Sequence, residues 1–189
     1  MNVILFDDIY RESLLPFTYT RPQAEIRIGI LSVREKWEKY LHVQTSTFTE
    51  NYLSEKFPLK IAEKNVLIAS SVCPTATLIE AIVSLKCGQT LVKNGVVLAH
   101  ALTSIPENLL SYCGEKIEFS GECLIIMYIW QIFYYNETEL RADFDLLTKG
   151  RTSQSLGQTN CLIGDEKDIF IEEGAVIEAS VFNVKNSKI

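Results

Sequence analysis

The sequence is poor in the residues that the commonest catalytic and metal sites require. It has two histidines, His42 and His100, too few for a zinc site rich in histidine and a thin basis for a His-based triad. Its five cysteines, at 73, 87, 113, 123 and 161, form no CxxC pair. An odd number of scattered thiols points to reduced, buried cysteines and a cytoplasmic setting. The longest apolar run, Cys123 to Trp130, is eight residues, far short of the roughly 20 that span a bilayer as a helix. The opening MNVILFDD has no basic leader, so neither a signal peptide nor a membrane partner is expected. A net charge of −6 argues against a general nucleic-acid binder, because phosphate backbones demand a basic face.

Arginine is absent between 42 and 140, and its placement elsewhere is uneven. Four of the six (Arg11, Arg21, Arg27 and Arg34) fall in the first 41 residues, with Arg141 and Arg151 near the far end. The guanidinium fork suits bidentate recognition of phosphate or carboxylate. The early cluster is a phosphate-site candidate or a solvated surface of ordinary ion pairs.

Hydrophobic patterning predicts strands at Asn2–Phe6, Val43–Phe48, Asn65–Ser70 and Cys123–Ile129, the last continuous enough to be buried on both faces. Asn94-Gly95 between two β-forming runs, Thr90–Val92 and Val96–Ala99, predicts a hairpin. Capping boxes at Ser32/Glu35 and Thr77/Glu80 open two helices, the second ended by Gly88. Ser104, Pro106 and Glu107 start a short one, and Asn136 with Glu139 caps the last. Strands alternating with helices predict an α/β domain with a mainly parallel sheet over 1–164. Ligands of such sheets lie beyond the carboxyl ends of the strands. The loop 7–29 leaves from such an end, and a loop of that length is usually functional.

The tail changes character. Ile171-Glu172 with Ala175, then Ile177-Glu178 with Val181, make two six-residue units. That period is the mark of a parallel β-helix, so 165–189 reads as its first turns or as an edge strand. In a β-helix Ile171, Ala175, Ile177 and Val181 point inward and Glu172, Glu173 and Glu178 outward.

Four segments together carry a family likeness: LLPFTYTRPQAEIRIGILSVREKWEKYL (14–41), IWQIFYYN (129–136), DFDLLTKGRTSQ (143–154) and IFIEEGAVIEASVFN (169–183). The combination resembles a divergent bacterial branch of the bifunctional enzymes that make UDP-N-acetylglucosamine. Those join a sugar-nucleotidyltransferase domain to a left-handed β-helix that acetylates glucosamine 1-phosphate. The resemblance implies a GT-A, Rossmann-like three-layer sandwich and a reaction of nucleoside triphosphate with sugar 1-phosphate, helped by Mg²⁺. It also implies a homo-oligomer, a trimer through the complete β-helix.

Leu15-Pro16-Phe17-Thr18 resembles the family's Leu-Pro-Leu-Thr element, and Arg21-Pro22 stands near its Pro-Lys. The family's glycine loop is replaced by Phe6-Asp7-Asp8-Ile9-Tyr10-Arg11, and the central strand NVLIASSVCPT lacks the family's metal-binding Asp. The resemblance makes Arg11 and Arg21 the candidate catalytic residues. Thr18, Thr20, Arg27, Arg151 and Ser153 become candidates for nucleotide or sugar contacts. Asp7 and Asp8 are candidate Mg²⁺ ligands or a turn-forming acidic pair. Arg151 and Ser153, in the exit loop after the last helix, bind phosphate or dock the β-helix on the first domain. The departures leave a second reading, a catalytically degenerate domain that binds sugar nucleotide or supports a trimeric acetyltransferase.

Overall fold

The computed structural model describes residues 1–112 and 114–185. Cys113 and the last four residues of the tail lie outside the described residues. The chain forms two compact units, Met1–Asn136 and Glu137–Ile189.

The first unit is built on a six-stranded sheet. Its strands are β1 (Asn2–Phe6), β2 (Thr45–Phe48), β3 (Asn65–Ala69), β4 (Gln89–Lys93), β5 (Val96–Leu102) and β6 (Glu115–Glu118), in the order β2-β1-β3-β5-β4-β6. Three of the five neighbouring pairs are parallel: β1 with β2, β1 with β3, and β4 with β6. The hairpin strand β5 runs antiparallel to both β3 and β4. Register sets the faces. Ile4 pairs with Leu67 and Leu67 with His100, whereas Leu5 pairs with Ile68 and Ile68 with Ala99. Alternation therefore puts Ile4, Leu67 and His100 on one face and Leu5, Ile68 and Ala99 on the other. All six are buried. The hairpin turn is as its sequence demands: Asn94 and Gly95 both have positive φ, at 51° and 82°, the conformation a two-residue type I′ turn requires.

Helix α1 (Val33–Leu41) starts where its capping box predicts. Ser32 Oγ accepts from Glu35 N, and Glu35 accepts from Ser32 N at 2.7 Å. One face of α1 buries Val33 and Trp37, and the Trp37 indole N–H donates to Val72 O at 2.9 Å. Helix α2 (Ala76–Val83) is capped two residues earlier than expected, by Thr75, and ends at Ser84 well before Gly88. Thr77, the expected cap, lies inside it. The short helix expected from Ser104 is a 3₁₀ turn at Leu109–Ser111, capped by Asn108. Strand β6 was not legible in the sequence. All four of its residues are exposed, so it has no apolar alternation to read, and its charged side chains suit an edge position.

The strand expected at Cys123–Ile129 is not one. Only Val72 and Ile125 make an isolated bridge there, and helix α3 (Ile129–Thr148) begins at the end of the run. Gln131 caps that start, its Oε1 accepting from Met127 N and Tyr128 N at 2.7 and 3.0 Å. Ile132 and Tyr135, three apart, pack on the core of the first unit. Asn136, expected as a cap, lies within α3, and its Oδ1 accepts from Gly29 N at 2.9 Å. No helix among the described residues is long and apolar enough to cross a membrane.

In the second unit, β7 (Cys161–Ile163) pairs in parallel with β8 (Val181–Asn183), twenty residues on. Ile169, Ile171 and Val184 form a small core, with Leu162, Ala175, Ile177 and Phe182 packed against it. Glu172, Glu173 and Glu178 are exposed, as expected. Val181 is 69% exposed, not inward. Strand alternation puts Phe182, the partner of Leu162, on the inner side and turns Val181 out. The thiols also depart from expectation. Cys73 is buried, but Cys87 and Cys161 are exposed.

Removing the α1 cap tests the local account. Ser32→Ala should lower the unfolding free energy by about 1 kcal/mol, read as a shifted denaturant midpoint at constant slope. An unshifted midpoint would show that tertiary packing alone holds the α1 start.

Candidate functional site

The loop 7–29 begins where β1 ends, and its first two residues are carboxylates with buried side chains. Asp8 Oδ1 accepts from Tyr10 N at 2.9 Å and from Gln23 Nε2 at 3.0 Å. Its Oδ2 accepts from Ser71 N at 3.1 Å and from the Ser71 hydroxyl. Gln23 also receives the Asp8 backbone N–H on its Oε1 at 2.6 Å. Asp7 Oδ1 accepts from Gln23 N at 2.8 Å, and Oδ2 from Arg11 at 2.7 Å and Thr49 Oγ1 at 2.5 Å. Burial pushes the Asp7 carboxyl up from its ordinary range, and the bonds from Thr49 and Gln23 and the Arg11 charge act against it.

Arg11 is fully engaged too. Its Nη2 donates to Thr18 O at 2.6 Å and to the Tyr52 hydroxyl at 2.9 Å, while Nη1 takes Asp7 and reaches Arg21 O at 3.4 Å. Glu50 lies 3.7 Å from Nε. Thr18 is buried, and its hydroxyl donates back to Arg11 O at 2.9 Å. Arg11 and Thr18 therefore staple the loop and present no free donor to a ligand. The carboxylates likewise do not fit the Mg²⁺ expectation. A carboxylate offers about four lone-pair sites, and all four on Asp8 and three on Asp7 are taken by the protein. Among the described residues no group of three or more His, Cys, Asp or Glu is poised for a metal.

Three concave surfaces border this loop. Beyond β1 and β2, Asp7, Arg11, Glu12, Thr49 and Glu50 line an acidic cleft of 470 Å³. On the flank, the loop and the start of α1 form a cleft of 590 Å³ containing Arg21, Arg27, Arg34 and Lys56 against Glu25 and Glu35. Arg34 is locked in place by Glu25, Thr47 and Thr45, whose Oγ1 accepts at 2.7 Å. Arg27 donates to Ile30 O and lies 3.5 Å from Glu35. With those two neutralised, Arg21 and Lys56 are the uncompensated cations, and neither has an ion-pair partner among the described residues. Thr20 is exposed in the same cleft. The third surface is an apolar cavity of 170 Å³ beside Phe6 and His100.

A family model described as sugar nucleotidyl transferase matches residues 3–152. The chain belongs to the sugar nucleotidyl transferase family. No curated protein matches it. The mixed α/β sheet, mostly parallel, fits a nucleotidyltransferase-like fold, and membership implies a nucleotide and a sugar phosphate as substrates.

For a sugar nucleotidyl transferase, the expected site residues are divided by the structure. Arg21, Arg27 and Thr20 share the cationic cleft, whereas Asp7, Asp8, Arg11 and Thr18 form the internal lock. Arg151 and Ser153 belong to the second unit and are engaged within it. Arg151 pairs with Glu172, donates to Leu147 O at 3.2 Å and stacks 4.8 Å from the Phe170 ring. Ser153 Oγ accepts from Ile171 N at 2.8 Å and donates to Gln154 O at 3.0 Å. Gln23 and Lys56 were missed as site residues, and Arg34 was named only as one of the early arginine cluster. Gln23 carried one signal, its position directly after Pro22 where the family has Pro-Lys. Lys56 had none.

Two measurements test this account. Arg11→Ala leaves the buried Asp7 carboxylate without its cation and should cost about 3 kcal/mol of stability, whereas a role confined to substrate would leave the melting curve unmoved. His100 is buried, which pushes its pKa down to about 4 from 6.5. As pH falls below 6.5 the unfolded chain takes up the proton first, so this group's stability contribution is full above 6.5 and declines toward pH 4. Asp7, shifted upward, acts in the opposite sense at lower pH. Between pH 7 and 5 His100 should remove about 2 kcal/mol. Urea unfolding at both values should show that loss in the wild type and not in His100→Phe.

Proposed function

We propose that this chain is a sugar-1-phosphate nucleotidyltransferase, of the N-acetylglucosamine-1-phosphate uridylyltransferase type, that takes its phosphate-bearing substrate in the cationic cleft of Arg21 and Lys56. The observation that carries the reading is that cleft. In a chain of net charge −6, Arg21 and Lys56, which have no ion-pair partner among the described residues, line one concavity beside the loop that follows β1. The reaction is in-line attack of a sugar-phosphate oxygen on the α-phosphorus of a nucleoside triphosphate. The new P–O bond forms as the bond to the leaving pyrophosphate breaks. Such chemistry needs positioning and charge neutralisation rather than a covalent nucleophile, which suits a chain without a triad. Arg21 is matched to bidentate phosphate contact, Lys56 acts as a point charge, and Arg34 forms a fixed wall. No step is assigned to a metal held by Asp7 or Asp8.

A second reading, binding without transfer, is favoured by one specific observation. The stretch that replaces the glycine loop is closed on itself through Asp8, Gln23 and Arg11, and the acidic cleft above it repels a triphosphate. The tail bears on the same question. The parallel pairing of β7 with β8 supports reading it as the opening of a β-helix, which in a complete form would bring acetyl transfer and trimerisation.

Pyrophosphate release from UTP and N-acetylglucosamine 1-phosphate, with and without added Mg²⁺, separates the readings when paired with calorimetric UTP binding. Turnover supports the first, and binding without turnover the second. Arg21→Ala and Lys56→Ala should each weaken UTP binding about tenfold, the effect of one charge-assisted hydrogen bond of about 1.5 kcal/mol. Stability should not change, because neither side chain has an ionic partner to lose among the described residues. Unaltered affinity in both variants would remove the cleft from the substrate site.

A further inference from the structure

The two cations of the phosphate cleft lie on different segments of the chain, and one side chain joins those segments. Lys56 belongs to the turn that follows β2. Leu53 is buried and anchors that turn, its carbonyl accepting from Lys56 N at 3.1 Å and from Phe57 N at 2.9 Å. Arg21 belongs to the loop 7–29. The chain just after it is fixed, because Pro22 restricts the backbone and Gln23 is bound to Asp7 and Asp8. The chain just before it is held from the Lys56 turn. The hydroxyl of Tyr52, the neighbour of Leu53, donates to Tyr19 O at 3.0 Å and accepts from Arg11 Nη2 at 2.9 Å. The same guanidinium donates to Thr18 O at 2.6 Å and reaches Arg21 O at 3.4 Å. Thr49 and Glu50 also meet the loop, but at Asp7 and Arg11, near its start. The Tyr52 hydroxyl meets it at Tyr19, beside the Thr20-Arg21 pair that lines the cleft.

We propose that Tyr52 is a positioning residue of the phosphate cleft: its hydroxyl ties the loop bearing Arg21 to the turn bearing Lys56, so that both cations meet one polyphosphate. Tyr52 is not among the residues that line the cleft, so it acts through Arg21 and not on the ligand. Its contribution is to order. Without the hydroxyl, Arg11 alone would hold the stretch from Thr18 to Arg21, and ordering that stretch on binding would cost affinity. A guanidinium whose backbone wanders also loses the benefit of its fixed fork. The effect on the fold itself is small. The Tyr52 ring is 64% exposed, and water readily replaces a hydrogen bond at the surface. The assignment rests on the phosphate reading of the cleft given above, and adds to it a residue from outside both the loop 7–29 and the cleft wall.

Calorimetric titration of UTP into the full chain tests the role in four forms: wild type, Tyr52→Phe, Arg21→Ala and the double variant. Tyr52→Phe keeps the ring and removes the hydroxyl. It should weaken UTP binding about fivefold, the effect of one lost hydrogen bond, and leave the urea midpoint where it is in the wild type. A residue that acts through another gives a non-additive cycle. The double variant should therefore bind UTP no more weakly than Arg21→Ala alone, an outcome that a purely structural role for Tyr52 does not produce. Losses that add in the double variant would show that Tyr52 acts independently of Arg21, and they overturn the proposal. Wild-type affinity in Tyr52→Phe beside weakened binding in Arg21→Ala overturns it as well, and leaves the cleft standing. Wild-type affinity in Arg21→Ala removes Arg21 from the phosphate site, and the positioning role falls with it.

Discussion

The carboxylate of Asp8 holds the functional end of this protein together. Two buried acidic residues at a strand end would repel each other and the rest of the interior unless every oxygen were satisfied. Gln23 supplies most of the answer. Its amide receives the Asp8 N–H and donates to the Asp8 carboxylate, and its own N–H goes to Asp7. Ser71, just past β3, completes Asp8. One network thus ties two strand ends to the middle of a long loop. Arg11 extends it to Thr18 and Tyr52. A loop of this length would otherwise lose too much conformational entropy on ordering to hold one shape.

That lock explains the distribution of chemistry around it. Because Arg11 and the aspartates are consumed internally, they cannot also grip a ligand. Arg21 is exposed and lines the flank cleft together with Lys56. On the other side, the ends of β1 and the β4–β5 hairpin enclose the apolar cavity around His100. A cationic cleft and an apolar cavity are thus built from one loop and the sheet it crosses.

The fold was legible where local signals and tertiary demands agree. Ser32 and Glu35 announce α1 because their hydrogen bonds form within four residues. Asn94-Gly95 announces the hairpin because few other residues accept positive φ twice in succession. The failures share one cause. Cys123–Ile129 looks like a buried strand, yet Gln131 folds back to cap α3 and the apolar run becomes connector and helix start. The charged edge strand β6 carries no apolar alternation, since only its backbone is needed by β4. Asn136 has the chemistry of a cap and is used instead to satisfy Gly29 from within a helix.

By itself the sequence determined an α/β unit with a loop leaving the first strand, an arginine cluster beside that strand, and an apolar, weakly repetitive tail. Composition, periodicity and capping are properties of neighbours in the chain, and such properties survive without knowledge of the fold. Only the tertiary structure decided which charged groups are free. Asp7, Asp8 and Arg11 look like site residues in one dimension because they are polar and follow a strand. In three dimensions they meet one another, Gln23, Thr49 and Ser71, and their hydrogen-bonding positions are taken. Lys56 and His100 carry no local signal, yet the sheet brings one to an uncompensated cleft and the other to an empty apolar wall. A side chain's availability depends on partners distant in sequence, and the register of a sheet, rather than the identity of a residue, chooses those partners.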